Sequence, residues 1–120
     1  MGAAFEKSKA FGKRIIRLCD YLRREKKELV LSKQLLRSGT SIGANLAEAE
    51  CAMSRKDFTA KVYVVLKECA ETQYWLELLR DTGYMTDEQY DSIEADAAEI
   101  RRILTATTRT MADTRDGKQS

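Results

Sequence analysis

The chain has 120 residues, of which 43% are apolar and 33% charged, enough for one domain with a single core and too few for two. It contains no proline and only 6 glycines, and this scarcity of turn residues excludes the common all-β sandwiches and barrels. It also contains no histidine, so the commonest general base and the commonest metal ligand are both missing.

The charge is nearly balanced overall, at +2, but it is unevenly distributed. Residues 1–30 carry nine basic and four acidic side chains, whereas residues 83–120 carry five and eight. So small a net charge argues against a surface that is basic throughout. A chain that is basic at its start and acidic near its end can attract a polyanion, or it can dock the end of one subunit on another. The sequence leaves both alternatives open.

The three cysteines, Cys19, Cys51 and Cys69, are too far apart for a CxxC pair, and no histidine accompanies them. We therefore expect no zinc site, and the odd number argues against a secreted disulfide scaffold. All three are predicted to be small buried hydrophobes of a protein in the reducing cytoplasm. The first nine residues lack the apolar core of a signal peptide, and no apolar run approaches membrane-spanning length, so we expect no membrane association.

Two long helices are predicted in the first half of the chain. The first covers about residues 4–28, where four apolar residues recur at steps of four, three and four: Phe11, Ile15, Leu18 and Leu22. The second covers about residues 32–52, with Ser32 as its predicted N-cap. Gly39 and Gly43 lie inside it with Ala47 at the same spacing of four, which indicates either a close approach of a neighbouring helix or a kink.

Two further helices are predicted in the second half. The third covers about residues 55–82, beginning at a Ser54–Asp57 capping pair and ending before Gly83, which suits a left-handed C-terminal cap. Its apolar seam steps by four and three throughout: Phe58, Val62, Val65, Cys69, Thr72, Leu76 and Leu79. The fourth covers about residues 87–111 and begins at a Thr86–Gln89 capping box. Its seam is formed by Tyr90, Ile93, Ala97, Ile100, Leu104, Thr107 and Met111.

Helices of this length joined by linkers of only a few residues favour antiparallel neighbours. The predicted fold is therefore an all-α, up-down-up-down four-helix bundle over residues 1–112. Residues 113–120 carry no apolar anchor and are predicted to be a disordered tail.

The stretch from residue 30 to residue 84 resembles the bacterial four-helix-bundle proteins encoded in intervening sequences of 23S ribosomal RNA genes. The resemblance rests on LLRS at 35–38, SI at 41–42, NLAE at 45–48, KDF at 56–58, KE at 67–68, ET at 71–72 and YWL at 74–76, together with Ser54. It extends more weakly through the first helix, and many relatives carry proline or another residue where Gly43 stands. The resemblance implies a homopentameric ring and kinship with the accessory proteins of diversity-generating retroelements, which bind nucleic acid beside a reverse transcriptase.

A candidate nucleic-acid surface lies on the first helix. Its members are basic and occupy several helix faces: Lys13, Arg14, Arg17, Arg23 and Arg24. They can contact phosphates, and a ring would repeat the patch around its circumference, or they can form an ordinary solvated surface. No aromatic platform for stacking bases accompanies them, so sequence-specific reading of a single strand is not expected.

Two other constellations have alternative interpretations. A polar stripe on the second helix contains Arg37, Ser41, Asn45 and Glu48, which either contact a ligand or RNA or form a polar seam between helices or subunits. Trp75 lies about 100° from the seam of the third helix, which favours a subunit interface over a wide monomer core.

No catalytic residue, metal site or cofactor is predicted. Glu48, Glu68 and Glu71 are a conceivable carboxylate cluster, but a di-iron bundle also needs histidines. The sequence and the resemblance together favour a cytoplasmic, non-catalytic homo-oligomer that binds RNA or other nucleic acid electrostatically. The alternative is a structural or protein-adaptor ring without a nucleic-acid ligand.

Overall fold

The computed structural model describes the backbone of residues 2–119 and the side chains of residues 2–112. This part of the chain is all-α, without a strand, and forms four helices. They are α1 (Gly2–Arg24), α2 (Leu31–Ala49), α3 (Arg55–Asp81) and α4 (Asp87–Gln119). The predicted tail, residues 113–120, lies outside the residues whose side chains are described. No helix in the described part of the chain is both long and apolar enough to cross a membrane.

The helices pack in a closed cycle, in which α1 contacts α2, α2 contacts α3, α3 contacts α4, and α4 returns to α1. The apolar stripes predicted from the sequence meet at the centre of this cycle. In the seam of α3 every member is fully buried except Phe58, which is partly buried. Burying one such side chain stabilises the fold by about 1.5–3 kcal/mol. The bundle is therefore held mainly by these four stripes.

Close contact between α1 and α2 explains the two glycines inside α2. A Cβ atom added at Gly39 would lie 2.9 Å from the side chain of Ile15, and one added at Gly43 would lie 3.3 Å from the Ser8 Oγ. Helix α2 runs without interruption through both positions. The close approach is thus the alternative that the contacts support, and at Gly39 packing offsets the helix-propensity cost of glycine.

The connection between α1 and α2 differs from the prediction. Helix α1 ends at Arg24, four residues early, because Lys27 adopts a left-handed conformation with φ of 56°. The predicted N-cap at Ser32 was wrong: Ser32 lies buried in the first turn of α2, and the residue before the helix, Val30, makes no side-chain cap. The carboxylate of Glu28 accepts hydrogen bonds from the backbone N–H groups at the start of α2 instead.

The ends of α3 and the start of α4 follow the predicted chemistry. Ser54 Oγ accepts from the backbone N–H of Asp57 at 3.1 Å. Thr86 and Gln89 form the reciprocal capping box, each side chain accepting from the other residue's backbone N–H. Gly83 has a φ of 86°, and its N–H donates to the carbonyl of Arg80, which closes the end of α3.

Candidate nucleic-acid interface

The outward face of α1 carries Lys13 and Arg17, one helical turn apart. Both are exposed, and among the described residues neither has a carboxylate within 4 Å. Arg23 is also exposed, but it lies on another side of the helix, where its charge reaches the thiol of Cys19. Lys13, Arg17 and Arg23 are therefore available to an anion outside the bundle.

The other two basic residues predicted on α1, Arg14 and Arg24, already have acidic partners. Arg14 pairs with Asp96 at 2.6 Å and also donates to the carbonyl and hydroxyl of Ser92. Arg24 pairs with Asp20 on its own helix at 2.9 Å, an exposed pair of small energetic value. Arg14 thus links α1 to α4, whereas the exposed Arg24 can exchange Asp20 for another anionic partner.

The charge asymmetry of the sequence is partly cancelled by the fold. Residues 87–99 of α4 hold six acidic and no basic side chains, and they pack beside α1. Lys7 pairs with Glu99 at 2.8 Å, and this hydrogen bond and charge hold the pKa of Glu99 below its ordinary value, with Arg102 adding to the effect. The basic start of the chain is therefore partly neutralised by the acidic half of α4.

An open groove lies between α1 and the start of α4. Its volume is about 550 Å³, and its walls are formed by Arg14, Arg17, Leu18, Tyr21, Met85, Glu88, Gln89, Ser92 and Ile93. Tyr21 shares this groove with two arginines, but it is partly buried and packed against the core. The expectation that no aromatic platform for stacking bases accompanies the basic residues of α1 stays a prediction. Glu88 and the Arg14–Asp96 pair make the groove close to neutral.

Two further cavities, along α4 and its junction with α3, are markedly basic. One, of about 700 Å³, is lined by Gln73, Ala98, Arg101, Arg102, Ile103, Thr105, Ala106 and Arg109. The next, of about 560 Å³, is lined by Arg55, Lys56, Thr59, Ala60, Tyr63, Thr108, Met111 and Ala112. No carboxylate lines either cavity. Sequence reasoning missed this surface because its cations come from two helices far apart in the chain.

The polar stripe of α2 makes its contacts within one chain. Arg37 pairs with Glu68 at 3.3 Å and with Glu71, both on α3. Ser41 donates to the carbonyl of Arg37, and Asn45 donates to the carbonyl of Ser41. The last member, Glu48, pairs with Lys61 of α3 at 2.7 Å. Arg37 and Glu48 thus join α2 to α3, whereas Ser41 and Asn45 bond to the backbone of α2 itself. A role of the stripe between subunits stays a prediction.

Trp75 is partly buried against the core of its own chain. Its indole N–H donates to Glu71 at 3.3 Å, and its ring meets Tyr74 edge to face at 5.2 Å. These contacts link Trp75 to the carboxylate that also holds Arg37. The predicted role of Trp75 at a subunit interface remains a prediction.

The cysteines divide into two environments. Burial raises the pKa of Cys19 to about 11 and that of Cys69 to about 12, so both are protonated at neutral pH. Cys51 was predicted to be buried, and this is wrong: it is exposed, because α2 ends at Ala49 and Cys51 falls in the turn toward α3.

The candidate carboxylate cluster of Glu48, Glu68 and Glu71 does not form a metal site. Glu68 and Glu71 are held by Arg37, and Glu48 is held by Lys61. Among the residues that the structure describes, no group of three histidine, cysteine, aspartate or glutamate side chains is placed to hold a metal ion. The carboxylates of this face therefore serve the α2–α3 contact.

Comparison with known proteins gives a family and a solved relative. A family model described as 23S rRNA-intervening sequence protein matches residues 3–106. A crystal structure from Bacteroides thetaiotaomicron VPI-5482, described as a protein with unknown function from the S23 ribosomal protein family, is 53% identical and superposes with a TM-score of 0.87. The match covers 88% of this chain and 97% of that one. No curated protein matches, and neither description names an enzymatic activity.

Proposed function

Starting from the premise that the chain belongs to the 23S rRNA-intervening sequence protein family, we propose that it is a non-catalytic helical-bundle protein that binds nucleic acid, RNA first of all, through electrostatic contacts. The observation that carries the proposal is the outward face of α1, where Lys13 and Arg17 are exposed and have no acidic partner among the described residues. Arg24 extends this basic face toward the end of the helix, and Arg23 is exposed on another side of it.

Phosphate contacts of this kind need no concave site. Lysine and arginine side chains release the counterions condensed on a nucleic acid, so affinity falls steeply with salt. A few such contacts on one chain are weak, and an assembly that repeats them around a ring gains affinity through multivalency. The proposal therefore joins nucleic-acid binding to self-association.

Retention of RNA tests the α1 surface. We expect the triple variant Lys13→Glu, Arg17→Glu, Arg24→Glu to lose its RNA at 50 mM NaCl, and the matched control Lys26→Glu, Lys33→Glu, Lys67→Glu to keep most of it. The control has the same change in net charge at exposed sites away from the outward face of α1. Unchanged retention by the α1 variant, or equal loss by both variants, would remove α1 as the binding surface.

We also propose that the chain assembles as a ring-like homo-oligomer, with the five subunits that the family resemblance implies. An exposed apolar surface at the α2–α3 turn supports this. Met53 is 93% exposed, and Val64 is 39% exposed. They line an open cavity of about 680 Å³ with Ala47, Glu48, Cys51, Ala52, Asp57, Ala60 and Lys61. Covering these apolar groups with a second copy would remove them from water.

Within the subunit we infer the up-down-up-down arrangement from the order of the ion pairs. Along α1, Lys7 precedes Arg14, whereas their partners on α4 come in the reverse order, Glu99 after Asp96. The contacts between α2 and α3 show the same reversal, since Arg37 pairs with Glu68 while the later Glu48 pairs with the earlier Lys61. Opposite order along two helices is the pattern of antiparallel neighbours.

A protein-adaptor ring is the second candidate, favoured by the same apolar surface around Met53 and Val64. Native mass spectrometry of protein purified at low salt without nuclease separates the two. A five-subunit mass carrying nucleic acid supports RNA binding by the ring, and a clean pentamer supports the adaptor. A monomer contradicts the assembly in both.

A further inference from the structure

A basic concave surface of the subunit lies on α4 and its junction with α3, away from the outward face of α1. Its two cavities, of about 700 and 560 Å³, follow each other along α4. Five cationic side chains line them and no carboxylate does: Arg55, Lys56, Arg101, Arg102 and Arg109. We call this surface the α3–α4 groove.

The cations of the groove differ in how far they are already engaged. Arg101 donates to the Gln73 side chain at 2.7 Å, which fixes its position without neutralising it. Arg102 lies close enough to Glu99 to help lower its pKa. Arg55, Lys56 and Arg109 are exposed, and none of them has a carboxylate within 4 Å among the described residues. The free positive charge is thus concentrated where α3 begins beside the second half of α4.

The α3–α4 groove also contains an exposed aromatic ring, that of Tyr63. Tyr63 is 53% exposed and lines the cavity that contains Arg55 and Lys56. It makes no hydrogen bond among the described side chains, and its ring face is not covered by another aromatic residue. A basic groove with an exposed ring is the combination that single-stranded nucleic acids need, because cations follow the phosphates while an unpaired base stacks on the ring.

We propose that the α3–α4 groove binds single-stranded nucleic acid, with Lys56 and Arg109 contacting phosphates and Tyr63 stacking on an unpaired base. This inference rests on the proposed nucleic-acid function and adds a site and a strand preference that the α1 surface does not supply. Arg102 and Arg109 are seven residues apart, about 10 Å along one face of α4, so they can contact successive parts of one strand.

Fluorescence anisotropy with a fluorescein-labelled 15-nucleotide single-stranded RNA tests the charged contacts. At 100 mM NaCl we expect Lys56→Gln, Arg109→Gln to bind about tenfold more weakly than the natural chain, and the slope of log K against log salt to fall by about 1.4, which is two single-strand phosphate contacts. The matched control, Lys26→Gln, Lys33→Gln, removes two exposed charges outside the groove and should bind as the natural chain does.

The stacking contact has a matched control on the same helix. Tyr63→Ala should weaken binding of the single strand about tenfold and leave binding of a 15-base-pair duplex unchanged. Tyr63→Phe should retain the affinity, because stacking needs the ring and not the hydroxyl. Tyr74, at 54%, is as exposed as Tyr63 but lies outside the groove, so Tyr74→Ala should have no effect. Circular dichroism of each variant establishes that it has folded.

The outcomes separate the two proposals. If the natural chain binds the RNA, the α1 variant weakens binding and both groove variants bind normally, the groove is overturned and the α1 proposal stands. If the natural chain does not bind at 50 mM NaCl, both are overturned. Equal loss from Tyr63→Ala on single strand and duplex would overturn the stacking role.

Discussion

Glu28 and Ser32 cap the start of α2 by a reciprocal pair of hydrogen bonds. The backbone N–H of Ser32 donates to the Glu28 carboxylate at 2.6 Å, and the Ser32 hydroxyl donates to the Glu28 carbonyl at 2.8 Å. The same carboxylate accepts from the N–H groups of Val30 and Leu31. One side chain thus satisfies three backbone donors that would otherwise lack partners at the helix start.

Removing the charge of Glu28 should destabilise the bundle. We expect Glu28→Gln to lower the free energy of unfolding by about 1–2 kcal/mol at pH 7, because the amide keeps one acceptor oxygen and loses the charge-assisted bonds. Urea unfolding followed by circular dichroism measures this, with the exposed Glu25→Gln as the control. Equal stability of the two variants would show that the cap contributes nothing.

The effect of Glu28 should also depend on pH. Burial on its own would raise the pKa of Glu28, but the hydrogen bonds from Leu31, Ser32 and Val30 hold it below its ordinary value. A carboxyl with a lowered folded pKa contributes stability above its unfolded pKa of about 4.3, and this contribution is lost as pH falls through the folded pKa. The difference between the natural chain and Glu28→Gln should therefore shrink below about pH 4. If the difference in free energy of unfolding between the two proteins is constant from pH 7 to pH 3, the charged cap is not its cause.

The two glycines of α2 should respond differently to the same substitution. Gly39→Ala places a Cβ 2.9 Å from the buried side chain of Ile15, and we expect it to cost about 1–3 kcal/mol. At Gly43 the nearest atom is the Ser8 Oγ at 3.3 Å, which can shift slightly, so the gain in helix propensity of up to about 1 kcal/mol should dominate. Thermal unfolding of both variants checks the contrast. Stabilisation by Gly39→Ala would show that α1 and α2 are further apart than described.

A buried hydrogen bond between α2 and α3 should show strong coupling. The Thr72 hydroxyl donates to the Ser38 Oγ at 3.0 Å, and both residues are fully buried. Thr72→Val alone should cost about 1 kcal/mol because it removes one of the two hydrogen bonds of the buried Ser38 hydroxyl, which also donates to the Leu35 carbonyl. Adding Ser38→Ala removes the remaining hydroxyl, so the double variant should be less destabilised than the sum of the two single variants. Additive free energies from denaturant unfolding would contradict the bond.

Much of the fold follows from the sequence because its stripes are regular. The spacing of apolar residues places all four helices. Thr86 and Gln89 form the predicted capping box of α4, and Gly83 adopts the predicted left-handed conformation after α3. The cap of α2 was not predictable from spacing, because Glu28 acts from outside the helix through a chain reversal at Lys27. A residue-by-residue pattern contains no signal for such a reversal in a non-glycine residue.

The candidate site was less accessible to sequence reasoning. The exposed Lys13 and Arg17 could be found on one helix, whereas the engagement of Arg14 by Asp96 depends on how α1 and α4 pack. The α3–α4 groove combines a cavity lined by Lys56 with a second cavity lined by Arg109, more than fifty residues later in the chain. Periodicity identifies the face of one helix, but it does not specify which two faces meet.

The three cysteines should react with thiol reagents in two classes. Cys51 is exposed and should be modified by a maleimide within minutes at pH 7, whereas Cys19 and Cys69 are buried and have pKa values of about 11 and 12. Mass spectrometry should therefore find one adduct on the folded chain and three in urea. Because Cys51 lines the apolar cavity with Met53 and Val64, assembly over that surface should slow its reaction at high protein concentration. Measuring the rate of Cys51 modification over a dilution series of the protein then reports self-association. If this rate is the same for the monomer and the assembled state, the subunit contact does not lie at the α2–α3 turn.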